Sequence, residues 1–304
     1  MFDHRNALWH KLYFDRTASD YQGTLKFASV CQISHKRREF IMTGGCDKSS
    51  REASAQCFRF CVPSIRVFRE AQPLKQARYG HASVFVNQLV LVLGGFNHRD
   101  DEAQAPNTLA SCEKYSVKEN EWAAMAPMQQ ERAYFSACRV KEEFVYVFGG
   151  FQNYETTSSI EVYNLMLDKW TVLSVALPLK LAKFGLAKLE ENQVVIAGGL
   201  LVDGASASRE AGSYSCVNTA YKFDCNTLKW TKLAKLNFRR NMYGVMPVKE
   251  NQQVFAIGGT VDGINEVYDA RKKKWCTSQS YTSLMGQNDL QTYAVFSLSK
   301  NNDD

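Results

Sequence analysis

The stretch EFVYVFGGFQNY, residues 143–154, runs an alternating apolar segment into two adjacent glycines. Alternation of β-branched and aromatic residues over so few positions reads as a strand. A glycine pair at its end reads as backbone that must turn where a side chain cannot fit. The pairing recurs. EFIMTGG ends at Gly45, LVLVLGG at Gly95, VVIAGG at Gly199 and VFAIGG at Gly259. From pair to pair the steps are 50, 55, 49 and 60 residues. A period of this size marks a repeat architecture.

Two further signals run in register with the glycines. Downstream, an aromatic precedes a tryptophan by seven residues: Tyr115 and Trp122, Tyr163 and Trp170, Phe223 and Trp230, Tyr268 and Trp275. The first unit loosens this to Phe60 and Phe68. Polar segments such as SVKENE and DARKKK lie between and suit a tight hairpin turn. Upstream stands another aromatic beside a small residue: Phe27, Tyr79, Tyr134, Phe184 or Tyr243. Each unit therefore reads as four antiparallel strands. Strand a follows the upstream aromatic, strand b ends in the diglycine, strand c bears the tyrosine and strand d the tryptophan. One four-stranded sheet cannot bury both its faces, but copies packed face to face around an axis can. The tyrosines and tryptophans then fill the space between sheets, each burying roughly 150–250 Å².

The diglycines, together with EKYSVKENEW, EVYNLMLDKW and EVYDARKKKW, make the chain resemble the Kelch-repeat family over about residues 25–275. Glu113, Glu161 and Glu266 stand two residues before the aromatic, as the family pattern prefers. The resemblance implies an all-β fold, a Kelch-type β-propeller. Blades are expected at about 25–75, 76–128, 129–178, 179–238 and 239–279. A sixth, closing blade is expected to join 280–299 to 7–12, with SL in place of the diglycine. No strand c is evident for it, so the expectation is a blade left incomplete or completed by another chain. The whole chain, 1–304, is then one domain.

Composition bounds the function classes. Hydrophobic residues make up 45% of the chain and charged residues 22%, enough for a sizeable core. No apolar run approaches the length of a membrane span, and the charged N-terminus does not read as a secretory signal. The net charge of +6 is too mild to point to nucleic acid. Nine scattered cysteines read as free thiols in a reducing, cytoplasmic compartment.

No catalytic set emerges. The histidines are His4, His10, His35, His81 and His98. G-x-S-x-G, P-loop and H-E-x-x-H patterns are absent. Asp100, Asp101 and Glu102 are adjacent rather than alternating, unlike a calcium loop. Nor does the set of His, Tyr and Cys ligands used by Kelch-built copper oxidases appear. No metal or cofactor is expected, and the chain reads as a non-enzyme.

The candidate partner-binding residues are basic. Lys26, Arg78, Arg132, Lys183 and Arg240 precede the aromatic that opens strand a. At equivalent places in successive blades they would ring one channel mouth with positive charge, suited to an acidic segment. His98 and Arg99 lie in one long loop between strands b and c, and Arg209 in another. Long loops on a rigid scaffold are where specificity resides. The leading expectation is a protein-interaction module, a scaffold or subunit of a hetero-complex; a cytoskeletal or ciliary assembly is compatible with it. The alternatives are a substrate receptor acting through a ubiquitin-ligase partner, the chain having no room for a BTB or F-box segment, and a small-molecule enzyme using the channel.

Overall fold

A computed structural model describes residues 2–3, 8–9, 25–34, 36, 39–47, 52–61, 69–97, 107–152, 155–202, 214–241, 244–248, 253–257, 259 and 264–278. Within these residues the chain is all β. Five four-stranded antiparallel sheets follow one another in the order a-b-c-d. Sheet 1 comprises Ser29–Ser34, Glu39–Thr43, Cys57–Cys61 and Arg69–Ala71. Sheet 2 comprises Ala82–Val86, Leu89–Leu93, Cys112–Ser116 and Glu121–Met125. Sheet 3 comprises Ser136–Val140, Phe144–Phe148, Ile160–Asn164 and Lys169–Val172. Sheet 4 comprises Gly185–Glu190, Gln193–Ala197, Ala220–Asp224 and Lys229–Lys232. Sheet 5 comprises Gly244–Val248, Gln253–Ile257, Asn265–Asp269 and Lys274–Ser278.

The seven-residue spacing is a cross-strand pair. Tyr115 stands directly opposite Trp122, Tyr163 opposite Trp170, Phe223 opposite Trp230 and Tyr268 opposite Trp275. Their ring centroids lie 4.9, 5.0, 4.6 and 5.3 Å apart. Each pair packs onto the preceding sheet. Tyr163 and Trp170 close a core with Val84, Val86, Leu91 and Leu93 of sheet 2. Tyr115 and Trp122 do the same against Ile33 and Ile41 of sheet 1. The core is thus a series of layers between consecutive sheets, as a propeller requires. Strands a of neighbouring sheets meet on the inside, where Ser29 Oγ and Ser83 Oγ are 2.6 Å apart and Ser136 donates to the Phe184 carbonyl.

The diglycine of the opening stretch has a steric reason. Gly149 has φ +58° and Gly150 φ +105°, both in the left-handed half of backbone space. A Cβ on Gly149 would stand 2.4 Å from the Leu181 carbonyl oxygen, and one on Gly150 2.7 Å from Phe135 Cβ. Gly150 N donates to that same Leu181 carbonyl. The pair therefore lets the end of strand b come into contact with the segment that enters the next sheet.

Leu8–Trp9, placed by the sequence in a closing blade, pairs antiparallel with Phe2–Asp3. Residues 280–299 and Phe68 lie outside the described residues, and so does the expected joining of 280–299 to 7–12 in a closing blade.

Candidate functional site: the diglycine end of the propeller

The segment entering each sheet runs past the diglycine of the preceding one, and backbone hydrogen bonds set its register. Gly45, Gly95, Gly150 and Gly199 donate to the carbonyls of Arg78, Arg132, Leu181 and Arg240. Those four residues are therefore structural equivalents. Two residues on, Gly80 donates to Phe27, Tyr134 to Gly80 and Lys183 to Tyr134, a chain of bonds running from sheet to sheet around the mouth. Phe27, Gly80, Tyr134 and Lys183 share one left-handed conformation, with φ between 51° and 62°.

This register corrects the expected basic ring. Arg78, Arg132 and Arg240 are 0% exposed and present no charge to the mouth. Each is tied to a strand c glutamate: Arg78 to Glu113 at 2.8 Å, Arg132 to Glu161 at 2.7 Å and Arg240 to Glu266 at 2.6 Å. Arg132 also donates to the carbonyls of Gly149 and Ser159, and Arg78 to those of Gly94 and Ser111. The glutamates accept backbone N–H bonds from the incoming loop: Glu113 from Lys75 and Gln76, Glu161 from Gln129 and Gln130, Glu266 from Asn237 and Phe238. Burial pushes the Arg78 and Arg132 guanidiniums below the ordinary arginine value, while the paired carboxylates act in the opposite direction. A buried charge persists only when paired and hydrogen-bonded. These residues are a clamp fastening each loop to its sheet.

Lys183 is not the fourth member of that set. Its sheet places Leu181 at the arginine position, Tyr221 at the glutamate position and Pro178, which has no N–H, at the first donor position. The arginine, the glutamate and the first donor are replaced together. Sheet 1 likewise carries Phe58 at the glutamate position.

What converges at the mouth is aromatic. Phe27 lies 5.5 Å from Tyr134 and 6.3 Å from Tyr79, Phe96 lies 5.4 Å from Tyr79 and 5.7 Å from Tyr134, and Phe151 lies 6.2 Å from Tyr134. Lys183 Nζ sits 4.4 Å from the Tyr134 ring centroid and 5.8 Å from that of Phe151, a cation–π arrangement. Partial burial pushes its ammonium pKa down, with Cys216 acting the other way. Among the described residues, no carboxylate lies within ion-pair distance of it. Short ribbons raise walls around this end: Phe151–Gln152 with Glu155–Thr156, Leu200–Val202 with Tyr214–Cys216, and Leu25–Lys26 with Cys46–Asp47. The backbone of Lys26 thus belongs to a wall ribbon. His98, Arg99 and Arg209 lie outside the described residues.

Sequence reasoning missed the aromatic cluster because it mixes three repeat positions, that of Phe27 and Tyr134, that of Tyr79 and that of Phe96 and Phe151. The available signal was the irregular spacing from basic residue to aromatic, one residue at Arg78 and Tyr79 but three at Arg240 and Tyr243.

His81, immediately before strand a of sheet 2, is buried between the diglycines of sheets 1 and 2. Thr43 Oγ1 lies 2.9 Å from its Nε2, and desolvation pushes its pKa down to about 3. Phe135 and Phe184 fill the same place in the next two sheets. His81 is a neutral packing residue. Burial likewise pushes the thiols of Cys31, Cys57, Cys112 and Cys225 up to about 12.

The comparisons agree with this geometry. Alpha-scruin of Limulus polyphemus is 25% identical over 187 residues, covering 61% of this chain and 19% of that protein. Mouse Kelch-like protein 40 is 31% identical over 165 residues, covering 53% of this chain and 24% of that one. Human Kelch-like protein 34 is 26% identical, covering 68% and 32%. The chain thus spans less than half the length of these curated relatives. The solved structure of YjhT superposes with a TM-score of 0.62 at 14% identity, over 77% of this chain and 72% of that one, a likeness of fold. The KLHDC2/KLHL20/DRC7 Kelch-repeats domain matches residues 27–259. With its diglycine, tyrosine and tryptophan signals resolved into propeller sheets, the chain belongs to the Kelch-repeat family.

Proposed function

We propose that the chain is a non-enzymatic protein-interaction module that captures its partner at the diglycine end. The observation that carries the reading is the aromatic cluster around Tyr134, crossed by a lysine with no carboxylate partner among the described residues. Aromatic residues are enriched where interfaces concentrate their binding energy. A half-desolvated ammonium gains a charge-assisted bond when an acidic side chain arrives. The fitting partner therefore presents an acidic segment, met by Lys183 rather than by a ring of arginines. The two long loops between strands b and c begin at this same end, at Phe96 and Leu200, and long loops on a rigid scaffold are where specificity resides.

All nine cysteines are free, which fits a reducing compartment such as the cytoplasm. Among the described residues, no helix is long and apolar enough to cross a membrane. The test is affinity capture at about 0.1 M salt, where exposed charges are still felt over about 10 Å, followed by mass spectrometry. The native protein and a Tyr134→Ala/Lys183→Glu variant are compared. Loss of the specific partners by the folded variant is the expected result. An unchanged partner list would reject the reading.

A further inference from the structure

Sheets 3 and 4 are joined differently from their neighbours. The polar clamp is missing where sheet 4 begins, as described above. The indoles of Trp122, Trp170 and Trp275 donate to the carbonyls of Gln72, Ala126 and Ala234 of the preceding sheet's outer segment. Trp230 Nε1 has no such partner, and Trp230 is only half-buried. At the far end of this interface, away from the diglycines, a cavity of about 280 Å³ opens. Val140, Phe144, Tyr146 and Val162 of sheet 3 line it, facing Cys225 and Asn226 in the c–d turn of sheet 4. Its charged lining residues are Lys141 and Lys169, and no carboxylate lines it.

The c–d turn of sheet 3 stands at its edge, with Leu167 among the lining residues. At the tip of this turn Met166 is 77% and Leu167 69% exposed. Turn construction does not explain them. The residue ending strand c holds each of these turns with its side-chain oxygen. Ser116 accepts from Glu119 N, Asn164 from Met166 and Leu167 N, Asp224 from Asn226 and Thr227 N, and Asp269 from Arg271 and Lys272 N. The other tips are polar: Lys118-Glu119, Asn226-Thr227 and Arg271-Lys272. Sheet 3 alone among these four puts two large apolar side chains on a fixed tip, beside a cavity whose apolar floor of Val140, Phe144 and Val162 is edged by Asn164, Thr171, Asn226 and the two lysines. Through Leu167 the exposed pair is contiguous with the apolar part of the cavity lining, and contiguity is what gives exposed apolar surface significance as an interaction site.

We infer that this cavity and tip form a second docking surface, for a partner-protein segment that carries an apolar side chain flanked by carboxylates. The apolar residue enters between sheets 3 and 4 and covers Leu167. The carboxylates meet Lys141 and Lys169, whose charge is unmatched within the lining. The surface lies at the end opposite the aromatic mouth and stands independently of the reading given to it.

The probes are three fluorescein-labelled dodecapeptides: one with Leu and Phe flanked by Asp and Glu, the same with Lys for the acids, and a Ser-substituted control. Anisotropy is measured at 0.05 and 0.3 M salt against the native protein, Met166→Asn/Leu167→Thr and Lys141→Glu/Lys169→Glu. The first variant copies the sheet 4 tip, and its urea midpoint reports that it folds. The acidic apolar peptide is expected to bind natively, at least 10-fold more weakly in both variants and more weakly at high salt. Equal binding of the lysine peptide, indifference to both variants, or no binding of the acidic apolar peptide would overturn the proposal. So would a native dimer by sedimentation that the Met166→Asn/Leu167→Thr variant abolishes, because a second copy would then occupy the surface.

Discussion

Replacing Glu161 by alanine tests the clamp that orders the diglycine end. Its carboxylate accepts from Gln129 N at 2.7 Å, Gln130 N at 3.0 Å and Arg132 Nη2 at 2.7 Å. Both ionised side chains are 0% exposed. Truncation leaves a guanidinium without its counter-charge and two loop amides without acceptors. Removing one member of a buried pair costs about 3–5 kcal/mol, and each orphaned buried donor about 1–3 kcal/mol. These terms overlap, because water admitted to the gap relieves all three groups, so the expected loss is about 3–5 kcal/mol. Equilibrium urea unfolding, followed by tryptophan fluorescence, reads it as a lower midpoint. Sheet 4 supplies the control, since it folds with Pro178, Leu181 and Tyr221 at these places. Arg132→Leu added to Glu161→Ala removes the stranded charge, and the pair should couple by about 1–3 kcal/mol. A single-variant loss below about 1 kcal/mol, or simple additivity of the two substitutions, would refute the assignment of a buried, mutually dependent clamp.

Other consequences follow from the same packing. His81 has a folded pKa of about 3, below its unfolded value of 6.5. Between those values only the unfolded chain binds the proton, so stability rises with pH by roughly 1.4 kcal/mol per unit and is complete above the unfolded pKa. His81→Phe should remove that component from urea midpoints measured between pH 4 and 7, and an unchanged slope would contradict it. Trp170 is 2% exposed and donates to the Ala126 carbonyl, whereas Trp230 is half-buried with no acceptor. Trp170→Phe should therefore cost about 1 kcal/mol more than Trp230→Phe, and the reverse order would contradict the packing described. Native-state alkylation at pH 8 should mark the partly exposed Cys61, Cys216 and Cys276 before the six buried thiols, as peptide mapping can show. Early labelling of Cys31 or Cys112 would contradict that order.

The repeat was legible because its signals are local. A strand period of two and a seven-residue hairpin spacing place Tyr163 opposite Trp170 without knowledge of any distant residue. The glycines declare a steric constraint that only their type can meet. Arg132 was misread because its meaning is non-local: the glutamate that buries its charge is 29 residues away along the chain. The sequence nevertheless carried the clue. Sheets 2, 3 and 5 have the Arg and the Glu, and sheet 4 lacks both. Lys183 was grouped with the arginines by its proximity to Phe184, whereas the backbone bonds place it two residues later in the repeat, at the position of Tyr134. The mouth cluster draws on three repeat positions, that of Phe27 and Tyr134, that of Tyr79 and that of Phe96 and Phe151, so periodicity alone does not gather them.

Hydrogen–deuterium exchange of the protein, alone and bound to the partner it captures, tests the central claim most directly. The account predicts slowed exchange in the peptides spanning 25–28, 79–81, 96–97, 133–135, 151–152 and 182–184, which frame the mouth at the diglycine end. Protection confined to other surfaces, with these peptides exchanging as in the free protein, would contradict it.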